Sequence, residues 1–444
     1  MSPTSPARLG FPITGLPREE VMRRALAMKA DDADWQHGRT WSLVYRADDE
    51  HDALLKDVYQ AYFAENALSA TAFPSLRRME ADIVAMVLDL LGADPGRAGG
   101  TMASGGTESI FLAVKAHRDQ AIAAGRPAQG LGMVLPTTAH PAFVKAGHVL
   151  GMEVHLVPVS NAFTADIDAM ADAIGPGTIL LGASAPCYPY GVVDPIAELG
   201  QLADDHSVGL HVDACLGGFF LSVLRRAGRP TPPFAFDVAG VTSVTTDLHK
   251  YGYGPKGTST VLYADRALRR FQYFTQVGWP GGTLSSPTLL GTRPGGAIAA
   301  AWAAITHLGL DGYTDLFKRV MAITTQLQEG LLSIDGLALV GQPAMSVFAV
   351  GSSRHDVQWI ADRLETEGWR IDRQQDPDCL HFIVNPGHDE SVQPFVQSFR
   401  AAADLAPPPS GRSRPALYGQ TATLRDEGDL DEQLLDLIDR QYDA

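Results

Sequence analysis

The sequence predicts an α/β protein: a mainly parallel sheet covered by helices on both faces, preceded by an N-terminal arm and followed by a smaller α+β unit. Two observations carry this prediction. Between residues 86 and 312, short apolar runs at 131–135, 153–158, 178–182 and 209–213 alternate with stretches of helical periodicity. Beyond residue 312 the elements shorten and the alternation is lost. Open sheets of this kind bind ligands beyond the carboxyl ends of their strands. Asp213 and the segment around Lys250 would lie there.

The three parts are residues 1–85, 86–312 and 313–444. In the arm, Leu54, Leu55, Val58, Ala61 and Tyr62 predict a helix over 52–65. An irregular stretch over 66–74 follows. Leu76, Met79, Ile83, Met86, Val87 and Leu90 then predict a second helix over 75–91. The small-apolar run 295–310 reads as a buried helix, since it is shorter than the roughly 20 residues a membrane span needs. The last part predicts a helix over 314–333, strands at 337–340, 346–350 and 380–384, and a helix over 357–367. Residues 407–411 mark a loop. Leu430, Leu434, Leu435 and Ile438 share one face of a final helix.

Composition narrows the function classes. Lys and Arg number 35 against 51 Asp and Glu, a net charge of -16, and no basic run is present, which argues against nucleic acid as a partner. Cys187, Cys215 and Cys379 are too few for a disulfide framework and lack metal-ligand spacing, as do His206 and His211. The expectation is a cytoplasmic protein with reduced thiols, no bound metal and no membrane span. Residues 1–6 carry no signal pattern.

Four segments carry chemistry. Lys250 follows the alternating Val244, Thr245 and Thr246 and opens a turn-rich stretch of Tyr and Gly. A lysine there would hold pyridoxal 5'-phosphate as a Schiff base, and Asp213 would ion-pair with the pyridine nitrogen, making the ring an electron sink. Gly105, Gly106 and Thr107 lead into a helix whose free N–H groups suit a phosphate. His140, just past the 131–135 strand, is placed to stack on the ring. Taken singly these are a surface lysine, a tight turn and a loop histidine. In chain order they compose a site.

That order resembles the fold-type I pyridoxal-phosphate enzymes of the group II decarboxylase branch, and its wording resembles the sphingosine-1-phosphate lyases of soluble bacterial type. The matching strings are Ser104-Gly105-Gly106-Thr107-Glu108-Ser109-Ile110, Val212-Asp213-Ala214-Cys215-Leu216-Gly217-Gly218-Phe219 and His249-Lys250-Tyr251-Gly252-Tyr253-Gly254-Pro255-Lys256-Gly257. Ser286-Pro287-Thr288 and Gly291-Thr292-Arg293-Pro294-Gly295-Gly296 extend them. The match runs from about Trp41 to Tyr418-Gly419 and leaves out the membrane-spanning segment of the animal and fungal enzymes.

The resemblance implies a seven-stranded sheet and a homodimer with shared sites. Lys250 would bear the cofactor, Asp213 would meet its ring nitrogen and His140 its ring face. Gly105, Gly106, Thr107 and His249 would hold its phosphate, with Gly291 and Thr292 reaching that phosphate from the partner subunit. Ala214 and Cys215 would pack as small residues near the ring. Tyr45 and Lys256 would gather a substrate phosphate, with Asn66 and Tyr188 nearby. Ser69 stands where the lyases carry a histidine, so it offers a hydrogen bond without charge. Tyr188 and Tyr190 replace a phenylalanine and a histidine of the animal enzymes, and Leu284 replaces a tyrosine.

The implied reaction is retro-aldol cleavage of a phosphorylated 2-amino-3-hydroxy compound, such as sphingosine 1-phosphate, to an aldehyde and phosphoethanolamine. An amino-acid decarboxylase is the alternative, because Asp213, His140 and Lys250 serve both. A cofactor-binding protein without catalysis would predict loss of Lys250 or Asp213, and both are present. The base at the 3-hydroxyl stays open among Lys250, Lys256 and the cofactor phosphate. A buried lysine beside a second cation is expected to have a lowered pKa.

Overall fold

The computed structural model describes residues 10–69, 71–405 and 430–442. Residues 1–6, the 407–411 loop and the Tyr418-Gly419 end of the resemblance lie outside them. The central sheet has seven strands: β1 (Gly99–Ala103), β2 (Gly132–Pro136), β3 (Glu153–Val157), β4 (Thr178–Ser184), β5 (Gly209–Asp213), β6 (Val241–Thr246) and β7 (Ser259–Tyr263). Their order is β1-β7-β6-β5-β4-β2-β3. Strands β2 to β6 run parallel, and β7 runs antiparallel to both of its neighbours.

Parallel strands must be covered on both faces, and the apolar runs supply two cores. Alternate side chains of β2 separate accordingly, Val134 into one core and Met133 and Leu135 into another. Helices Gly106–Ala123 and Gly217–Arg226 pack against the sheet. A hairpin of β8 (Phe274–Gln276) and β9 (Leu284–Ser286) follows. The C-terminal part is a four-stranded antiparallel sheet of β10 (Leu337–Leu339), β11 (Val347–Ser352), β12 (Asp372–Gln374) and β13 (Cys379–Ile383), in the order β10-β11-β13-β12. Helices Val357–Thr366 and Val392–Ala403 accompany it.

Some boundaries differ from the sequence expectation for local reasons. The first arm helix expected at 52–65 is Asp49–Ala61, because the Asp48 side chain accepts from His51 N at 2.8 Å and caps it earlier. The second is Pro74–Leu90, with proline in its first turn, where no N–H is needed. The helices expected at 295–310 and 314–333 form one run, Gly295–Leu332, interrupted at Gly309 (φ 55°). The final helix is Leu430–Tyr442, with Leu435 and Ile438 exposed. Among the described residues, no helix is long and apolar enough to cross a membrane.

The stretch before the central sheet is tied into the C-terminal part. Trp41 is fully buried, and its ring meets His388 at 4.4 Å, Phe395 at 4.8 Å, Phe382 at 5.9 Å and Trp369 at 6.4 Å. Its backbone N–H donates to Arg370 O, and its carbonyl accepts from Ile383 N. This strap leads, four residues on, to Tyr45.

Two predictions follow from the packing. Trp41→Ala should lower stability by about 3–5 kcal/mol in denaturant unfolding, because the indole leaves a cavity among four rings. A loss below about 1 kcal/mol would show that the strap is not part of the core. Burial pushes His117, His381 and His388 down to about 4 and His211 down to about 3. Their folded pKa values lie below the unfolded value, so the unfolded chain binds more protons. Their stabilisation is therefore complete above about pH 6.5 and lost as pH falls toward 4. Asp194, pushed up to about 6 by burial, works in the opposite sense, one group against four. Thermal melts should show the midpoint falling between pH 6.5 and 4, and a flat profile would refute the assignment.

Candidate active site

The site begins at two adjacent parallel strands. Asp213 ends β5, and its register partner in β6 is Thr245. The Asp213 carboxylate is buried, and its Oδ1 accepts from Cys215 N at 3.0 Å and from Thr245 Oγ1 at 3.4 Å. β6 runs out into a turn that carries Asp247, His249 and Lys250. The phosphate loop closes on the same spot. Helix Gly106–Ala123 starts there, and a Cβ on Gly106 would lie 2.8 Å from Cys215 Sγ and 3.0 Å from Asp247 Oδ2, so only glycine fits. A Cβ on Gly105 would approach His249 Cε1 at 3.6 Å. Thr107, in the helix's first turn, is exposed.

Glu108 holds this loop. Its buried carboxylate accepts from Ser104 N at 2.7 Å, Ser104 Oγ at 2.6 Å and Leu289 N at 2.9 Å. His140 lies past β2, and its Nδ1 accepts from Ala142 N at 3.1 Å, which assigns the neutral-ring proton to Nε2. Burial pushes its pKa down, against the pull of Asp213. Cys215 is buried, and burial raises its thiol well above the usual range, as suits a packing residue rather than a nucleophile.

The two lysines are unlike. Lys250 Nζ lies 3.0 Å from Asp247 Oδ2. Burial, the largest single effect, would lower its pKa, but Asp247 and the other acidic groups around it together outweigh burial and the net shift is well upward. The lowering expected of a lysine beside a second cation is therefore wrong for Lys250, because a buried carboxylate stands next to it. That lowering is found at Lys256, although part of its surface meets solvent: burial and then Lys250 push its pKa down. Lys256 Nζ donates to Leu43 O at 2.8 Å and sits 5.2 Å from the Tyr45 ring centre, so Tyr45 and Lys256 do come together.

Tyr188 donates to Asp372 Oδ2 at 2.6 Å and lies against the His381 ring at 4.2 Å. With Thr137, Thr138 and His140 it lines a cavity of about 210 Å³ whose far wall is β12. Tyr190 donates to Asp376 O, and Leu284 is half-buried in β9. The remaining expected residues lie on another strip. Gly291 and Thr292 are exposed. Asn66 bridges to Pro294, and its Oδ1 accepts from Leu68 N at 3.2 Å. Ser69 Oγ accepts from Ala72 N at 3.3 Å. An ion pair between Arg293 and Glu80 anchors the strip.

Sequence reasoning missed Asp247, Glu108 and Asp372. Asp247 had a signal, three residues before Lys250 and directly after a strand of alternating Val and Thr. Glu108 had a weaker one in the first turn of the phosphate-loop helix. Asp372 had none, since its partner lies in a distant segment.

These groups suit pyridoxal phosphate. A glycine cradle and a helix N-terminus suit an anion, and His249 Nδ1, Thr138 Oγ1 and Thr246 Oγ1 are buried without a hydrogen-bond partner among the described residues, so they call for a polar ligand. Comparison with known proteins agrees. Residues 22–347 match the pyridoxal-dependent decarboxylase conserved domain. The sphingosine-1-phosphate lyase of Oryza sativa subsp. japonica is 39% identical, the match covering 99% of this chain and 83% of that one. The solved Burkholderia pseudomallei K96243 sphingosine-1-phosphate lyase is 38% identical with a TM-score of 0.85, covering 89% of this chain and 92% of that one. The chain belongs to the sphingosine-1-phosphate lyase family. Its fold is fold-type I, it is a lyase, and its cofactor is pyridoxal phosphate. The glutamate decarboxylase of Lactobacillus brevis CGMCC 1306, 19% identical with a TM-score of 0.78 and covering 90% of this chain and 95% of that one, shares the fold.

Gly106→Ala should weaken cofactor binding by at least about tenfold, a loss of roughly 1.4 kcal/mol, in a titration followed by visible absorbance. Unchanged affinity would mean that the loop does not close on the cofactor.

Proposed function

We propose that the chain cleaves the C2–C3 bond of a phosphorylated 2-amino-3-hydroxy compound such as sphingosine 1-phosphate, releasing an aldehyde and phosphoethanolamine. One observation favours this over decarboxylation: a second lysine, Lys256, stands with Tyr45 beside the Lys250 site, where a substrate phosphate would need a cation. Bound pyridoxal phosphate supplies an electron sink for the carbanion left when a bond at the amine-bearing carbon breaks.

The chain's own residues do the rest. Lys250 holds the cofactor. Asp213, fixed by Cys215 N and Thr245, keeps the ring nitrogen protonated. His140 covers a ring face. Gly105, Gly106, Thr107 and His249 take the phosphate.

The active unit in this proposal is a homodimer. Gly291 and Thr292 reach the neighbouring site, and Asn66, bridged to Pro294, goes with them, as does Ser69, two residues beyond Ala67, whose N–H donates to Arg293 O. Tyr188 lines the approach to His140. The division into residues 1–85, 86–312 and 313–444 belongs to the same proposal. So does a cytoplasmic location, supported by three free, buried cysteines.

Incubation of the cofactor-loaded protein with sphinganine 1-phosphate should yield phosphoethanolamine and fatty aldehyde in equal amounts. Absence of cleavage together with carbon dioxide release from a free amino acid would establish the decarboxylase instead. Lys256→Met should raise KM for the phosphorylated substrate roughly tenfold or more, the loss of one charge-assisted contact, while cofactor absorbance is retained. An unchanged KM would remove Lys256 from the phosphate site.

A further inference from the structure

Asp247 has no part in the chemistry described so far, yet it is the most enclosed carboxylate in the cluster, with a side chain only 1% exposed. It leaves β6 directly, and the turn brings Lys250 back over it, with Lys250 N donating to Asp247 O at 3.4 Å. Its Oδ2 is 3.0 Å from Lys250 Nζ and 3.7 Å from His249 Nε2. The helix start at Gly106 closes it from another side, near enough that a Cβ there would touch both its oxygens. A carboxylate in such a place needs a cation, and only a charged lysine or histidine can serve.

We propose that Asp247 is a positioning residue: it holds the free Lys250 side chain as an ammonium ion on the floor of the site whenever that lysine is not carrying the cofactor. This rests on Lys250 being the cofactor lysine. An ammonium nitrogen has no lone pair, so a lysine held this way cannot attack a carbonyl carbon until it gives its proton to water. The charged groups that act on Lys250 agree with the geometry. Asp247 acts most strongly in favour of its charge, joined by the Asp213 carboxylate from the end of β5. His140, His249 and Lys256, all disfavoured as cations around it, leave Lys250 the principal positive group. Burial works against the Asp247 carboxylate, but the Lys250 charge keeps it ionised. The pair thus sets which form of the lysine is present at the moment it is released.

The test uses acetic anhydride, which modifies only neutral amines, on cofactor-free full-length protein across a pH series. Acetylation of each lysine is read by peptide mass spectrometry, with the exposed Lys318 as internal reference. In the wild type, Lys250 should remain unmodified at pH values where Lys318 is already acetylated. Asp247→Asn should raise Lys250 acetylation at pH 8 by about tenfold or more, one pKa unit or greater. The wild-type profile needs no variant, so a poorly folded Asp247→Asn protein does not remove the test. A wild-type Lys250 that titrates with or below Lys318 overturns the proposal. So does a folded Asp247→Asn protein with an unchanged profile. A parallel reduction of the cofactor-loaded protein with borohydride separates the two layers. Cofactor mass on a residue other than Lys250 overturns the assignment of the cofactor lysine and this inference together. Mass on Lys250 with an Asp247-independent profile overturns only the inference.

Discussion

The parallel pairing of β5 with β6 is the constraint on which the rest of the site depends. Because Asp213 and Thr245 are register partners, the carboxylate at the end of one strand and the turn carrying Asp247, His249 and Lys250 leave the sheet at the same edge. Both strands are almost wholly buried, so a slip of register would carry apolar side chains out of their cores. Sheet packing therefore fixes the spacing between Asp213 and Lys250, the two residues proposed to hold the cofactor, before any ligand binds. The phosphate loop is added from the far end of the sheet, through β1 and β7, and meets that edge where only glycine can pass.

Within the site, neighbours rather than residue type decide what each charged group does. Two lysines six positions apart in the chain are driven in opposite directions, one upward by the acidic groups around it and the other downward by burial and then by its fellow lysine. The Trp41 strap extends the same logic to distance. It pins the arm to the C-terminal sheet, and the arm in turn delivers Leu43 O and Tyr45 to Lys256.

Much of this was legible in the chain, and the reasons are specific. Strands β2, β4 and β5 show as apolar runs because buried parallel strands carry apolar side chains on both faces. β1 and β7 do not show. One opens with Gly99-Gly100 at the sheet edge, and the other opens with Ser259-Thr260, whose hydroxyls bond back to Thr246 O. β12 reads Asp372-Arg373-Gln374 and gives no apolar signal. The residues proposed to hold the cofactor could be picked out because each sits in a short string with its own local logic. The Asp372 contact to Tyr188 was not, because 184 residues separate the pair. The same limit explains the error over Lys250, whose pKa was weighed against a nearby cation without the carboxylate that folding places beneath it.

The account stands most directly on a crystal structure of the cofactor-loaded protein. The cofactor should be attached to Lys250, its ring nitrogen should lie within about 2.7–2.9 Å of an Asp213 oxygen, and its phosphate should sit on the Gly105-Gly106-Thr107 helix start. A ring nitrogen turned away from Asp213, or a phosphate seated elsewhere, would contradict the claim that the register of β5 and β6 builds this site.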